Sequence, residues 1–116
     1  MGTELRKLLA EMQETNSTLA EGKYANYIGA WRDFSGVARQ KGALSQKQKA
    51  LIGLAIGLSK RCTQCIAYHT QAAFSFGATP EEVLEAAFVA VLMDGGPAQS
   101  HLKLVMEAIE EFSEPE

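Results

Sequence analysis

The sequence has few cysteines, few prolines and no excess of positive charge, and these shortages exclude several classes of protein. Two cysteines in 116 residues are too few for a small secreted fold stapled by disulfides, which normally carries several pairs. Eleven basic side chains stand against fourteen acidic ones, a formal net charge of −3. Nothing in that balance attracts a nucleic acid or an anionic membrane surface. Long apolar runs are missing as well. The longest, Leu51 to Leu58, lies between Lys49 and Lys60, far short of the roughly 20 residues a membrane helix needs. The start, Met1-Gly2-Thr3-Glu4-Leu5-Arg6-Lys7, does not continue into the apolar core of a secretory signal. Arg6 stands where a myristoylation motif needs Ser or Thr. A cytoplasmic protein without nucleic-acid or membrane partners is expected.

What is present fits an ordinary globular chain. Hydrophobic residues make up 47% and charged residues 22%, which excludes wholesale disorder. The length suits one domain spanning 1–116.

The apolar spacing is helical nearly throughout. Leu5, Leu8, Leu9 and Met12 form one stripe, which fades at Thr15-Asn16-Ser17-Thr18 and breaks near Gly22. Tyr24, Tyr27, Ile28, Trp31, Phe34 and Val37 form a second, ending near Gly42. Aromatics at helical spacing belong more often to a core or a subunit interface than to a ligand cage. Ser45 and Gln48 fit a capping box, and the helix they open is apolar on nearly every side through Leu58, which predicts a central, surrounded helix. Gly53, Ala55 and Gly57 would let neighbours approach it closely. A further helix is predicted from near Cys62 to Gly77, a typical C-terminal glycine. Thr79-Pro80-Glu81-Glu82 then combines an N-cap, a first-turn proline and a capping glutamate. The helix after it meets Asp94-Gly95-Gly96, and Pro97 can open a last one holding Leu102, Leu104, Val105, Ile109 and Phe112. The expectation is an all-α bundle of five to six helices with a frayed Ser113-to-Glu116 tail.

One constellation carries chemistry. Cys62-Thr63-Gln64-Cys65-Ile66-Ala67-Tyr68-His69 places a Cys-x-x-Cys pair and a histidine within two helical turns. Helical residues three apart share a face with Cα atoms about 5–6 Å apart, inside the window for a disulfide. His69 falls on that face one turn beyond Cys65, where an imidazole can exchange a proton with a thiol. A first-turn position feels the positive end of the helix dipole, and Lys60 and Arg61 add positive charge, so thiolate is favoured. A zinc site is the rival reading. It needs a fourth ligand, and His101 is the only other histidine, so no metal is expected.

From Leu44 to about Leu102 the chain resembles the carboxymuconolactone decarboxylase and alkyl hydroperoxidase D-like superfamily. The resemblance rests on Leu44-Ser45-x-Lys47-x-Lys49-x-Leu51-Ile52 and Cys62-x-x-Cys65-x-x-x-His69. It continues through Ala72-Ala73, Gly77-Ala78-Thr79-x-Glu81-Glu82-Val83 and Gly95-Gly96-Pro97. It implies an all-α fold assembling into trimers or, at this chain length, more often hexamers. In the family's redox branch the second cysteine attacks a peroxide or disulfide, the first resolves the product, and the histidine handles protons. Carried over by position, Cys65 is the attacking thiolate, Cys62 the resolving thiol and His69 the acid/base partner. Two departures stand out. The relay glutamate of peroxidase members, twelve residues before the first cysteine, corresponds to Ala50. The residues between the cysteines are Thr63 and Gln64, without the histidine the peroxidase pattern can carry there. Asp33, Glu85 or Asp94 are the carboxylates that could substitute in space.

The expected function is therefore a thiol–disulfide oxidoreductase extending to hydroperoxide reduction, with the Cys62–Cys65 pair in place of a bound cofactor. Its partners would be a hydroperoxide or disulfide substrate and a dithiol donor of thioredoxin, glutaredoxin or lipoyl type. Two alternatives come from other classes: a decarboxylase-type enzyme of the same fold using His69, and a non-catalytic oligomeric binding protein. The aromatic stripe and the apolar 51–58 segment are too much apolar surface for a monomer of this size to hide, so a homo-oligomer is expected, hexamer over trimer.

Overall fold

The computed structural model describes residues 4–113. Along them run α1 (Glu4–Ala20), α2 (Ala25–Arg39), α3 (Gln46–Ser59), α4 (Thr63–Ser75), α5 (Pro80–Asp94), α6 (Gly96–Gln99) and α7 (Leu102–Phe112). Among the described residues there is no strand, and α6 is a single turn of four residues. The all-α expectation holds.

Capping sets several of these boundaries. The Gln48 N–H donates to Ser45 Oγ at 3.0 Å while the Ser45 N–H donates to Gln48 Oε1 at 2.8 Å. Thr79 and Glu82 repeat the arrangement at the start of α5, with Pro80 in the first turn. Each box satisfies two backbone donors that a helix start otherwise leaves without partners.

Helix α1 continues through Thr15-Asn16-Ser17-Thr18 and ends at Ala20, so the break falls near Gly22 as expected; three of these four residues are exposed and Asn16 is half-buried. A polar stretch on a solvent-facing helix needs no apolar stripe to persist. One boundary differs from expectation: Pro97 opens only α6, because His101 leaves helical geometry (φ −104°, ψ 6°) before α7 begins. Its Nδ1 lies 3.0 Å from the Pro97 carbonyl, which closes that turn. Of the tail, Ser113 is described and the remainder lies outside the described residues.

The core is built where α3 packs on α4 and α5, with α7 against α4. Leu54, Leu58, Ile66, Val83 and Val105 are fully buried there. Helix α3 is central but not surrounded: Ile52 and Ile56 are about half exposed, because no other helix of the chain covers that side. Helix α1 is anchored by Glu111 of α7, whose buried carboxylate accepts the Arg6 N–H at 2.8 Å and the Leu5 N–H at 3.3 Å. A carboxylate on the unpaired amides of a helix start is a favourable, charge-assisted contact. The Arg6 side chain returns a hydrogen bond to the Glu111 carbonyl at 2.9 Å. No described helix is long and apolar enough to cross a membrane.

The joint between α3 and α4 determines where the cysteines sit. The Cys62 N–H donates to the Gly57 carbonyl at 3.0 Å and the Arg61 N–H to the Leu58 carbonyl at 3.0 Å. This pair of bonds is the Schellman ending of α3. The same ending closes α4 through Ala78 and Gly77. There the left-handed position is glycine (φ 91°), as the sequence predicted; after α3 it is Arg61 (φ 54°). A non-glycine residue in this region costs on the order of 1 kcal/mol or more. The strained turn delivers Cys62 directly to the N-cap position of α4.

Candidate functional site

Cys62 is the N-cap of α4, and its Sγ accepts the Cys65 N–H at 3.1 Å. It therefore takes the role usually filled by a serine or aspartate oxygen, satisfying an unpaired donor in the first turn. The two cysteines are joined as a disulfide with Cα atoms 5.2 Å apart, the separation expected from helical spacing. Donation from the backbone and the positive end of the helix dipole both favour negative charge on the Cys62 sulfur once the bond opens.

Close approach of α3 sets the depth of this site. A methyl group at Gly57 would stand 2.7 Å from Cys65 Cβ, and one at Gly53 would stand 2.6 Å from the His69 ring. The two glycines are one turn apart and form notches into which Cys65 and His69, also one turn apart, are pressed. The small residues expected to admit a neighbouring helix thus admit the Cys65 and His69 side chains.

His69 is half-buried, with its ring edge-on to Tyr68 at 5.0 Å between centroids. Its imidazole is held below the ordinary value of 6.5, first by burial and then by the positive charge of Arg39. At neutral pH it is therefore an uncharged base rather than a cation.

In front of Cys65 and His69 lies an open cavity of about 450 Å³. Helix α4 lines one side with Gln64, Cys65, Tyr68 and His69, and α1 contributes Met12 and Asn16. The opposite side is α2, through Trp31, Arg32, Phe34, Ser35, Ala38 and Arg39. Of the two cysteines, both half-buried, Cys65 lines the cavity and Cys62 does not.

The cations that line the cavity are Arg32 and Arg39, from α2, which the sequence reading did not single out. Ala50 is buried in the core. None of Asp33, Glu85 and Asp94 lines the cavity, and among the described residues no carboxylate takes the place of the family's relay glutamate there. The aromatic stripe of α2 is not core, since Tyr24, Tyr27, Trp31, Phe34 and Val37 are all exposed and no residue of α2 is buried. Trp31 and Phe34 belong to the cavity wall, the reading the spacing had ranked second. One signal was available for the missed residues: Arg32 and Arg39 are seven apart, hence on one helix face, interleaved with Trp31, Phe34 and Ser35. Among the described residues no three His, Cys, Asp or Glu side chains converge in a way that could hold a metal ion.

Comparison with known proteins agrees with this architecture. The model of the carboxymuconolactone decarboxylase family matches residues 26–108. An uncharacterized protein of Cupriavidus necator is 31% identical over 97 residues, covering 84% of this chain and 85% of the relative. An uncharacterized protein from the cox locus of Paracoccus denitrificans is 34% identical over 88 residues, 76% of this chain and 79% of that one. Among solved structures, a carboxymuconolactone decarboxylase family protein of Legionella pneumophila superposes with a TM-score of 0.90 at 29% identity, over 97% of this chain and 99% of that one. A family protein of Thermotoga maritima, for which a role in an antioxidative response has been suggested, gives 0.79 at 28% identity, covering 90% and 88%.

Proposed function

The chain belongs to the carboxymuconolactone decarboxylase family, and on that footing we propose that it is a thiol–disulfide oxidoreductase whose chemistry runs through Cys65, Cys62 and His69. The observation that carries this reading is the placement of the two cysteines: Cys65 lines the cavity beside His69, while Cys62 caps the helix start and accepts the Cys65 N–H.

In the reduced protein, neutral His69 takes the proton of the Cys65 thiol. The Cys65 thiolate attacks one sulfur of a disulfide substrate, or the terminal oxygen of a hydroperoxide. The S–S or O–O bond breaks, and a thiolate or alkoxide leaves, taking a proton from the imidazolium. Cys65 then carries a mixed disulfide or a sulfenic acid. The Cys62 thiolate, stabilised by the Cys65 N–H, attacks the Cys65 sulfur and displaces the second thiol or water. The Cys62–Cys65 disulfide remains, two electrons having passed to the substrate, and an external dithiol of thioredoxin, glutaredoxin or lipoyl type returns them. No bound organic cofactor is required, because the cysteine pair holds the electrons.

The lack of a carboxylate in the cavity favours disulfide exchange over fast peroxide reduction, since His69 handles protons alone. A cytoplasmic setting fits a pair that must be reopened by dithiols. Assembly into a homo-oligomer, hexamer over trimer, is supported by two sets of exposed apolar residues. Tyr24, Tyr27 and Val37 lie on α2 outside the cavity; Ile52, Ile56, Phe88, Leu92 and Met93 lie on α3 and α5, with Leu92 80% exposed. Two such sets provide for two kinds of subunit contact, as a hexamer of dihedral symmetry requires. A monomeric mass in light scattering would contradict it.

The test of the redox reading is a pair of serine variants. Cys65→Ser should lose at least about a hundredfold in dithiol-dependent disulfide reduction. Cys62→Ser should still react once and stop as a mixed disulfide visible by mass spectrometry. Full turnover by the double variant on any substrate would move the protein to the decarboxylase-type alternative.

A further inference from the structure

The cavity has a charge opposite in sign to the chain as a whole. The protein carries a net −3, yet the charged residues lining the cavity are Arg32 and Arg39, with no carboxylate among them. Arg39 is held in place: its Nε donates to the Ser35 carbonyl at 3.1 Å and to Ser35 Oγ at 3.2 Å, and its guanidinium lies 5.8 Å from the Tyr68 ring centroid. These contacts use the Nε edge and one flat face, and leave both terminal nitrogens without an acceptor among the described residues. The Arg32 side chain makes no ion pair or hydrogen bond with a described residue. Two guanidiniums with free donors, beside a reactive sulfur and an aromatic wall, are arranged for planar oxyanions, which guanidinium binds through two parallel hydrogen bonds.

We infer that the substrate is a carboxylate-bearing organic disulfide or hydroperoxide, its carboxylate on Arg39 and Arg32, its apolar body against Trp31 and Phe34, and its reducible bond at Cys65. This rests on the redox reading above and adds the class of molecule reduced. A volume of about 450 Å³ falls within the range of ordinary small-molecule pockets and takes one such molecule. The electron balance is that already given: the substrate's S–S or O–O bond is cleaved, the cysteine pair is oxidised to the disulfide, and an external dithiol restores it.

Two aromatic disulfides that differ in charge provide the test. The reduced full-length protein is mixed with 5,5′-dithiobis(2-nitrobenzoate), which carries carboxylates, or with neutral 4,4′-dithiodipyridine, and chromophore release is followed by stopped flow. The quantity read is the ratio of the two rate constants, which cancels any change in the intrinsic reactivity of the thiol. Arg39→Gln and Arg32→Gln should each lower the ratio about tenfold, as expected for loss of one charged hydrogen-bonding partner, and Arg39→Lys should retain part of it. A ratio unchanged in both glutamine variants would overturn the substrate class, whatever the absolute rates do. A Cys65→Ser variant reacting with both reagents as fast as the wild type would instead overturn the redox reading. Replacing the aromatic disulfides by a matched pair of hydroperoxides, one with a carboxylate and one without, tells which reducible bond the protein prefers.

Discussion

The two sides of the cavity are made differently. The α4 side is set into the core: Ile66, Ala67, Thr70 and Ala73 are buried along it, and Cys65 and His69 fill notches at Gly57 and Gly53. The α2 side has no buried residue, and Trp31, directly across the opening, is 61% exposed. The cysteine pair and His69 are thus carried on the packed helix, and the arginines and aromatics of the cavity on the less buried one. This division would suit the proposed redox reaction, because exchange between Cys62 and Cys65 needs constant geometry while substrates of different shape need an adaptable wall.

The comparison can be broken or sharpened by mutation. The largest effect is expected at His69. His69→Ala should slow turnover by about a hundredfold, at the low end for loss of a positioned acid/base, while leaving the helical circular dichroism unchanged. In the wild type the acid limb of the rate should lie below the ordinary imidazole value of 6.5, since burial and Arg39 both favour the neutral ring. Arg39→Gln should move that limb to higher pH. The same shift affects stability. Because the folded value lies below the unfolded one, His69's contribution is fully present above the unfolded value and is lost as pH falls through the folded one.

Next is the packing itself. Gly57→Ala places a methyl 2.7 Å from Cys65 Cβ, which a backbone-anchored atom cannot avoid. Urea titration should show a loss of about 1–3 kcal/mol. Arg61→Gly should act in the opposite direction, raising stability by up to about 1 kcal/mol, because glycine occupies the left-handed turn without strain. The smallest change is expected on the α2 side. Trp31→Ala removes the largest side chain of the chain but should stay within about 0.5 kcal/mol in the monomer, as exposed positions do. If Trp31→Ala destabilised the protein as much as Gly57→Ala, the contrast between the two sides would be lost.

Much of the local structure was legible from residue order. The capping boxes at Ser45 and Thr79, the Gly77 ending and the shared face of Cys62, Cys65 and His69 all depend on contacts within four or five positions. Such contacts are fixed by helical geometry before any tertiary packing exists. Exposure on α3 and α2 was not legible in the same way. Both helices carry broad apolar surface, and whether a helix face is covered depends on how many neighbours the chain supplies. The α2 stripe was read as core or interface because periodicity reports a face but not what lies opposite it.

The two cysteines first mattered for their scarcity, and their spacing then marked them as a pair able to form a disulfide. That much the sequence determined alone, because a disulfide between residues three apart at a helix start is a local matter. Which cysteine lines the cavity was decided only by the tertiary structure. The strained Arg61 turn makes Cys62 the helix cap, the glycines of α3 bring Cys65 and His69 against the core, and the placement of α2 brings Arg32 and Arg39 to the same cavity. Residues far apart in the chain meet there through close helix packing, and no local periodicity records which distant side chains that packing will bring together.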